Sequence, residues 1–482
     1  MILSDTMASI SKNYFYNILF QVYSLILPII TVPYLSRVIG AEGLGKYAFA
    51  LSIVTYFTMI AFLGMTNYGQ RTIAYVRNQD IYTLSATFWG LFIVKFVLSI
   101  VVLLVYLIFI FFYFSNSYLY LILAIEIITV SCNVDWFFQG TENFKVLAVR
   151  NVFIRTLATI AIFLFVKTSS DFIIYVLCMT LANFLSTASI LPMLTTYICK
   201  VHFADIRFRE HLVGSFRLFI PQIAMTVYLV MDKTMLGVLS NSPAEVGFYD
   251  QAHKLVLVLL TLVTSLGTVM SPRISFLYAN KDYKGILRNL QYSVYVVWCL
   301  SIPMILGIFS VSDIFVPFFF GHGFEKVILL LEIFSFLLLA IGLSNIIGSQ
   351  YLIPTGREHL LTISVTIGAV INVFLNILLI PQYESLGSTI SSVIAEIGVF
   401  CYQFWVTRKE LPFSTYFLCV KNYLFAGIIM FFVLYFIPKN ISPGWYLLST
   451  VFAGTVVYSA ILVLLKDEFI MEILSRVKNK WH

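Results

Sequence analysis

The chain is 482 residues long, 60% hydrophobic and only 11% charged, with a formal net charge of +7. So little charge excludes a soluble globular domain, and the modest positive excess does not suggest nucleic acid as a partner. The six cysteines form no C-x-x-C pair and no phosphate-cradling G-x-x-x-x-G-K-[ST] loop occurs, so no disulfide framework, zinc site or nucleotide-hydrolysing domain is indicated.

A helix needs about 20 apolar residues to cross the hydrocarbon core of a bilayer. Continuously apolar runs argue for such helices, because the strands of a membrane barrel alternate every second residue. Fourteen stretches qualify. In the first half, crossings are predicted over 13–36, 45–66, 85–113, 118–138, 146–166 and 172–197. The first carries Pro28 and Pro33 and lacks a small-residue cleavage site, so a removed signal peptide is not expected. It ends in Pro33-Tyr34-Leu35-Ser36-Arg37-Val38-Ile39-Gly40, which runs into Ala41-Glu42-Gly43-Leu44-Gly45-Lys46-Tyr47. Lys95 falls in the third crossing and is read as an interfacial residue, Glu126 falls in the fourth, and Trp136-Phe137-Phe138-Gln139-Gly140-Thr141-Glu142 closes that segment.

In the second half, crossings are predicted over 213–239, 248–271, 289–311, 326–352, 359–380, 387–406, 416–437 and 445–465. The seventh carries Met231-Asp232-Lys233 with Leu236-Gly237. The eighth opens on Ala244-Glu245-Val246-Gly247-Phe248-Tyr249, followed by Asp250 and Ala252-His253-Lys254-Leu255. Glu332 and Glu396 lie within the tenth and twelfth, and Thr355-Gly356-Arg357-Glu358 follows the tenth. In the tail, Phe469, Ile470, Ile473, Leu474, Val477 and Trp481 share one helical face with Lys and Arg opposite, the pattern of a helix lying on the inner membrane surface.

Lys and Arg concentrate in short cytoplasmic loops. With both termini inside, roughly 22 of the 30 basic residues fall on the cytoplasmic side, among them Lys200, Arg207, Arg209, Lys281, Lys284, Arg288, Arg408 and Lys409. Two motif pairs also recur six crossings apart: Ala41-Glu42-Gly43 with Ala244-Glu245-Val246-Gly247, and Gln139-Gly140-Thr141-Glu142 with Thr355-Gly356-Arg357-Glu358. Pro28 and Pro221 sit at comparable depth in the preceding helices. The expected organisation is an all-α polytopic membrane protein with an internal 6+6 duplication. It comprises a cytoplasmic segment 1–12, an N-lobe 13–200, a C-lobe 201–412, two appended helices in 413–465 and a cytoplasmic amphipathic tail 466–482. Parallel repeats of this kind place a substrate path between lobes that rock, and Pro28, Pro221 and Gly267 are candidate interruptions for that motion.

These motifs resemble those of the polysaccharide and oligosaccharide flippases of the multidrug/oligosaccharidyl-lipid/polysaccharide (MOP) exporter superfamily, which includes O-antigen and capsule repeat-unit flippases. The resemblance rests on residues 33–47, on Met231-Asp232-Lys233 with Leu236-Gly237, on Val246-Gly247-Phe248-Tyr249 with Ala252-His253-Lys254-Leu255, and on Trp136-Phe137-Phe138-Gln139-Gly140. It covers essentially the whole chain, although the family pattern more often has Arg where Lys233 stands and Tyr where His253 stands. It implies two six-helix lobes in a V shape and alternating access. The cargo it implies is an undecaprenyl-diphosphate-linked oligosaccharide, moved from the cytoplasmic to the outer leaflet of a bacterial plasma membrane for cell-surface polysaccharide synthesis. The implied protein is a transporter and not an enzyme. It needs no cofactor and is driven by membrane potential or by proton or sodium coupling. Its implied partners are the lipid-linked oligosaccharide, membrane lipid, and a polysaccharide polymerase with its chain-length machinery.

A charge within a crossing costs about 2.5–3.5 kcal/mol on insertion scales, so those present usually face a cavity or a partner. If the lobes pack as the resemblance implies, Arg37, Lys46, Lys233 and Lys254 line one central cleft and hold the diphosphate. Asp232, Asp250, Glu126, Glu332 and Glu396 are then candidates for coupling or gating. Plainer readings stand beside these: Arg37 and Lys46 as interfacial anchors, Asp250 and Lys254 as an i,i+4 salt bridge, and the deep carboxyls as neutral hydrogen-bonding groups between helices. The rival functions are a cation-coupled multidrug exporter, which calls for an acidic, aromatic cavity, a lipid II flippase, and a membrane polymerase, which calls for a large outer loop.

Overall fold

A computed structural model of the chain describes residues 23, 24, 26–114 and 118–480. The expected N-terminal segment 1–12, the start of the first crossing, the side chains of Pro221 and Val477, and Trp481 lie outside the described residues. All regular structure among those described is helical. The chain forms two compact units, one running to Thr234 and the other beginning at Met235.

The first unit contains α1 (Ile26–Val38), α2 (Gly40–Phe62), α3 (Met65–Val76), α4 (Ile81–Tyr113), α5 (Tyr118–Cys132), α6 (Asp135–Gly140), α7 (Phe144–Phe165), α8 (Phe172–Ala188) and most of α9 (Phe208–Leu239). The second contains α10 (Pro243–Ala279), α11 (Tyr283–Phe320), α12 (Lys326–Ser335), α13 (Leu337–Ile347), α14 (Glu358–Tyr383), α15 (Ser385–Thr407), α16 (Phe413–Leu418), α17 (Val420–Tyr435), α18 (Pro443–Leu464) and α19 (Glu468–Lys480).

Among the described residues, 12 helical stretches are long and apolar enough to cross a membrane, and the short apolar α1 covers part of the first expected crossing. The remaining expected crossing, 213–239, folds as part of the 32-residue α9. The fourteen expected crossings are therefore matched only approximately. The chain is a polytopic all-α membrane protein.

In the first unit α5 packs against α2, α4 and α8, and α3 packs against α6. The Trp136-Phe137-Phe138 motif is fully buried there, in a core with Met65, Tyr68, Ile73, Phe88 and Leu91. The ring of Trp136 stacks on Phe88 at a centroid distance of 5.5 Å. In the second unit α10 packs against α11, α12 and α13, α14 pairs closely with α15, and α17 and α18 both lean on α11. Pro272, Pro303, Pro317 and Pro381 lie inside these helices, as is tolerated in membrane helices where neighbours satisfy the freed backbone groups.

The repeated Ala-Glu motif does different work in its two copies. Glu42 is exposed and pairs with Lys46, one turn along α2, at 2.6 Å. Glu245 is buried and binds Lys326 Nζ at 2.7 Å while accepting from the Ser385 amide at 3.1 Å and the Ser385 hydroxyl at 2.5 Å. Lys326 also reaches Glu384 at 3.1 Å, so one carboxylate and one ammonium tie together the heads of α10, α12 and α15.

Candidate functional site: adjoining basic and hydroxyl-lined cavities

The sequence-predicted bases are placed as follows. Arg37 is exposed at the end of α1, with Nη1 donating to the Pro33 carbonyl at 2.7 Å. Lys46 is held by Glu42. Lys233 is half-buried on α9 beside the buried Asp232, and Thr234, the next residue, has its hydroxyl 2.9 Å from Ser52 and 3.2 Å from Tyr56. In the second unit Lys254 is exposed and lies 2.5 Å from the buried Asp250, at the i,i+4 spacing. Lys46 and Lys254 thus each carry a carboxylate from their own helix.

Two of the three deep carboxyls bridge helices. Glu126 accepts from Asn183 Nδ2 at 2.9 Å, linking α5 to α8. Glu332 accepts from the Ser312 hydroxyl at 2.7 Å, linking α12 to α11. Glu396 is half-buried on α15. Lys95, expected near the interface, is instead completely buried. Its ammonium donates to the Asn133 carbonyl and lies 5.6 and 5.8 Å from the Phe92 and Trp136 ring centroids. An ammonium held by one carbonyl and two ring faces contributes mainly through its packed stem. Lys95→Met is therefore expected to keep the detergent melting temperature within a few degrees of wild type, whereas Lys95→Ala lowers it by the equivalent of about 2–5 kcal/mol. Equal losses in both variants would show that the charge itself is needed.

The first unit contains a basic cavity that the sequence reading did not single out. It originates at the elbow between α2 and α3, where Leu63 and Gly64 both have positive φ, 44° and 70°. A Cβ on Gly64 would stand 2.7 Å from the Ser215 carbonyl oxygen, so only glycine lets the elbow sit this close to the α9 backbone. The Tyr68 ring then lies against Gly214, which offers no side chain to displace it. One turn further along α3 is Arg71, and Arg207, immediately before α9, is followed at helical spacing by Glu210, Gly214 and Arg217 on that helix. Arg209 joins them to line a cavity of about 890 Å³.

Four guanidinium groups against the single Glu210 carboxylate make this cavity an anion site by charge. Arg207 makes one long contact with Glu210, at 3.5 Å. Among the described residues, Arg71, Arg209 and Arg217 form no ion pair. The first turn of α9 opens here as well, adding the partial positive charge of a helix N-terminus. A planar guanidinium binds phosphate oxygens through two parallel N–H donors.

Arg207 and Glu210 are shared with a smaller adjoining cavity of about 340 Å³. Its walls carry the hydroxyls of Thr72, Tyr82, Thr83 and Thr87 together with Asp205 and His211. The Tyr82 hydroxyl donates to Asp205, and Asp80 caps α4 by accepting from the Thr83 amide at 2.8 Å, which holds the Asp80 carboxyl below its usual range. Threonine hydroxyls, a carboxylate and an aromatic ring are the groups that bind a sugar ring. An anion site and a polyol site thus share two residues, as a ligand with a sugar bonded directly to phosphate requires.

The chain matches the family model described as polysaccharide biosynthesis protein over residues 10–277. A model described as MatE matches residues 218–378. A proposed O-antigen transporter of Escherichia coli (strain K12) is 25% identical over 397 residues, covering 80% of this chain and 94% of that protein. Among solved structures, the lipid II flippase MurJ in an inward closed conformation superposes with a TM-score of 0.74 at 19% identity, covering 94% of this chain and all of the other. An inward-facing multidrug resistance MATE family transporter of the MOP superfamily gives a TM-score of 0.62 at 14% identity, with 81% and 94% of the two chains covered. At these identities the structures speak to the fold alone.

Proposed function

Because the chain belongs to the polysaccharide biosynthesis protein family, we propose that it is a flippase for undecaprenyl-diphosphate-linked oligosaccharide in the bacterial plasma membrane. It carries the repeat unit from the cytoplasmic to the outer leaflet for cell-surface polysaccharide synthesis, by alternating access. The observation that carries this reading is the arginine cavity joined to the hydroxyl-lined one. The arginines receive the diphosphate, the threonines and Asp205 receive the first sugar, and the polyprenyl tail stays in lipid. Both cavities lie at helix ends that the distribution of Lys and Arg assigns to the cytoplasm, where the substrate is made. Arg37, Lys46, Lys233 and Lys254 are assigned to the later, outer part of the path.

A lipid diphosphate carries roughly two negative charges, each worth about 2.3 kcal/mol per 100 mV. An inside-negative potential therefore drives outward movement without ATP, and the protein has only to keep the headgroup out of hydrocarbon. Proton or sodium antiport through Asp232 would add to this drive. The four arginines would repel an organic cation, which weighs against drug export.

The test is reconstitution in proteoliposomes with a fluorescent undecaprenyl-diphosphate-oligosaccharide, following leaflet exchange with and without an imposed potential. Protein-dependent exchange, accelerated by a potential that is negative on the donor side, is expected. No exchange with several such lipids, together with export of a cationic dye, would assign the protein to drug efflux instead.

A further inference from the structure

The second unit contains another charged cavity, of about 650 Å³, between the α10–α11 hairpin and the head of α19. Its construction begins with Asp467, which is buried between α18 and α19. The Asp467 carboxylate accepts from the Tyr423 hydroxyl at 3.1 Å and Asn422 Nδ2 at 3.2 Å, and the Ile470 amide donates to it at 3.4 Å. The same group therefore ties this turn to α17 and caps the first turn of α19. Held in this way, α19 buries Phe469 against Tyr292 and Tyr295 of α11, at centroid distances of 5.2 and 6.0 Å.

The cavity is amphoteric. Glu468 and Glu472, one helical turn apart, line it from α19, while Arg273 of α10 and Arg288 of α11 line it from the hairpin. The Tyr295 hydroxyl donates to Glu468 at 3.5 Å. Among the described residues, neither Arg273 nor Arg288 forms an ion pair. The hairpin also lines the cavity with Asp282, whose carboxylate accepts from the Gly285 amide at 2.9 Å and caps α11, so both signs of charge border one shared space. At its other end the cavity is lined by Leu266 and Met270, which lie on the membrane-spanning part of α10. Beyond the cavity, α19 exposes Met471, Ile473 and Leu474, the apolar face of a helix seated at a membrane surface. The charges therefore stand at headgroup depth, with Leu266 and Met270 on the side of the acyl chains.

We infer that this cavity binds the headgroup of a zwitterionic phospholipid bearing a primary ammonium, with Arg273 and Arg288 on the phosphodiester and Glu468 and Glu472 on the ammonium. A purely anionic headgroup would leave the two carboxylates facing negative charge, and a soluble cation would leave the two arginines unanswered. A quaternary ammonium could not donate hydrogen bonds to Glu468 and Glu472. The site is separate from the one assigned to the transported substrate and does not depend on that assignment.

The test uses the purified full chain in detergent, titrated with dioctanoyl phosphatidylethanolamine, dioctanoyl phosphatidylglycerol and soluble glycerophosphoethanolamine. Binding is read by thermal stabilisation and by lipid retention in native mass spectrometry. Phosphatidylethanolamine is expected to bind about tenfold more tightly than phosphatidylglycerol, the equivalent of one well-sheltered charge-assisted hydrogen bond shared between two partly solvated ones. The Glu468→Gln/Glu472→Gln variant should reverse this order, because its isosteric amides remove the repulsion of the anionic lipid. The Arg273→Gln/Arg288→Gln variant should bind both lipids weakly while melting as wild type does in their absence. Equal wild-type affinity for the two lipids, or an order that survives the glutamate substitutions, would overturn the inference. Equally tight binding of glycerophosphoethanolamine would show that the ligand is a soluble polar molecule and not a lipid.

Discussion

Replacing Arg207, Arg209 and Arg217 together by Ala is expected to slow exchange of a lipid-diphosphate-oligosaccharide by about a hundredfold or more. A hydrogen bond to a charged group contributes about 1.5–3 kcal/mol when well sheltered. These side chains are exposed on the open cavity wall, so a discounted figure of about 1 kcal/mol each is appropriate, and three such losses amount to between two and three factors of ten. The loss should appear chiefly as weaker capture of substrate at low lipid concentration and should shrink with added salt, since screening weakens the wild-type contacts in an open cavity. Substitution by Lys keeps the charge but loses the planar fork, so the triple Lys variant should recover only part of the rate. Because all three positions are exposed, the melting temperature should be unchanged. A triple Ala variant that exchanges the lipid at the wild-type rate would remove this cavity from the transport path. That result would return the diphosphate site to Arg37, Lys46, Lys233 and Lys254.

Glu245→Ala is expected to destabilise the second unit by about 3 kcal/mol, the low end of what breaking a buried ion pair costs. The carboxylate accepts from Lys326 and twice from Ser385. Its removal leaves the Ser385 donors unanswered in a buried turn and Lys326 with Glu384 as its remaining partner. Glu384 itself holds a positive φ of 52° in the tight α14–α15 turn, so that turn has little freedom to re-form its contacts. Glu42→Ala, the same substitution at the equivalent motif position, should leave the melting temperature near that of wild type, because Glu42 and Lys46 form an exposed pair. Melting of the two variants side by side in detergent is the measurement. Equal effects would mean that the two motif copies do the same job, contrary to their different surroundings.

Several motifs of the resemblance were legible in the chain before their purpose was. Trp136-Phe137-Phe138 forms the aromatic core on which α3 packs, and Glu245 closes a three-way tie between helix heads. The candidate cavity was half legible. Arg207, Glu210, Gly214 and Arg217 have the spacing of one helical face, but Arg207 and Arg209 were assigned to membrane topology, since basic residues collect in inner loops whether or not they bind anything. What raises them to a site is the left-handed elbow at Leu63–Gly64, which sets Arg71 of α3 against that face of α9. Lys95 reads as interfacial only if the third crossing begins late, whereas α4 begins at Ile81 and places it well inside the helix. Here the Asn133 carbonyl and the faces of Phe92 and Trp136 provide a lodging that no local pattern announces.

Membrane residence, all-helical architecture and the approximate crossings follow from the sequence alone. They depend on a local quantity, the length of each apolar run measured against the bilayer thickness, and no long-range contact can alter that requirement. Which charges face one another is a different kind of fact. Glu42 and Glu245 share a motif and Arg209 and Arg288 both fall between expected crossings, yet one glutamate is solvated and the other buried, and one arginine lines a basic cavity and the other an amphoteric one. Those outcomes depend on helices far apart in the chain meeting at particular turns, and so they were decided by tertiary structure.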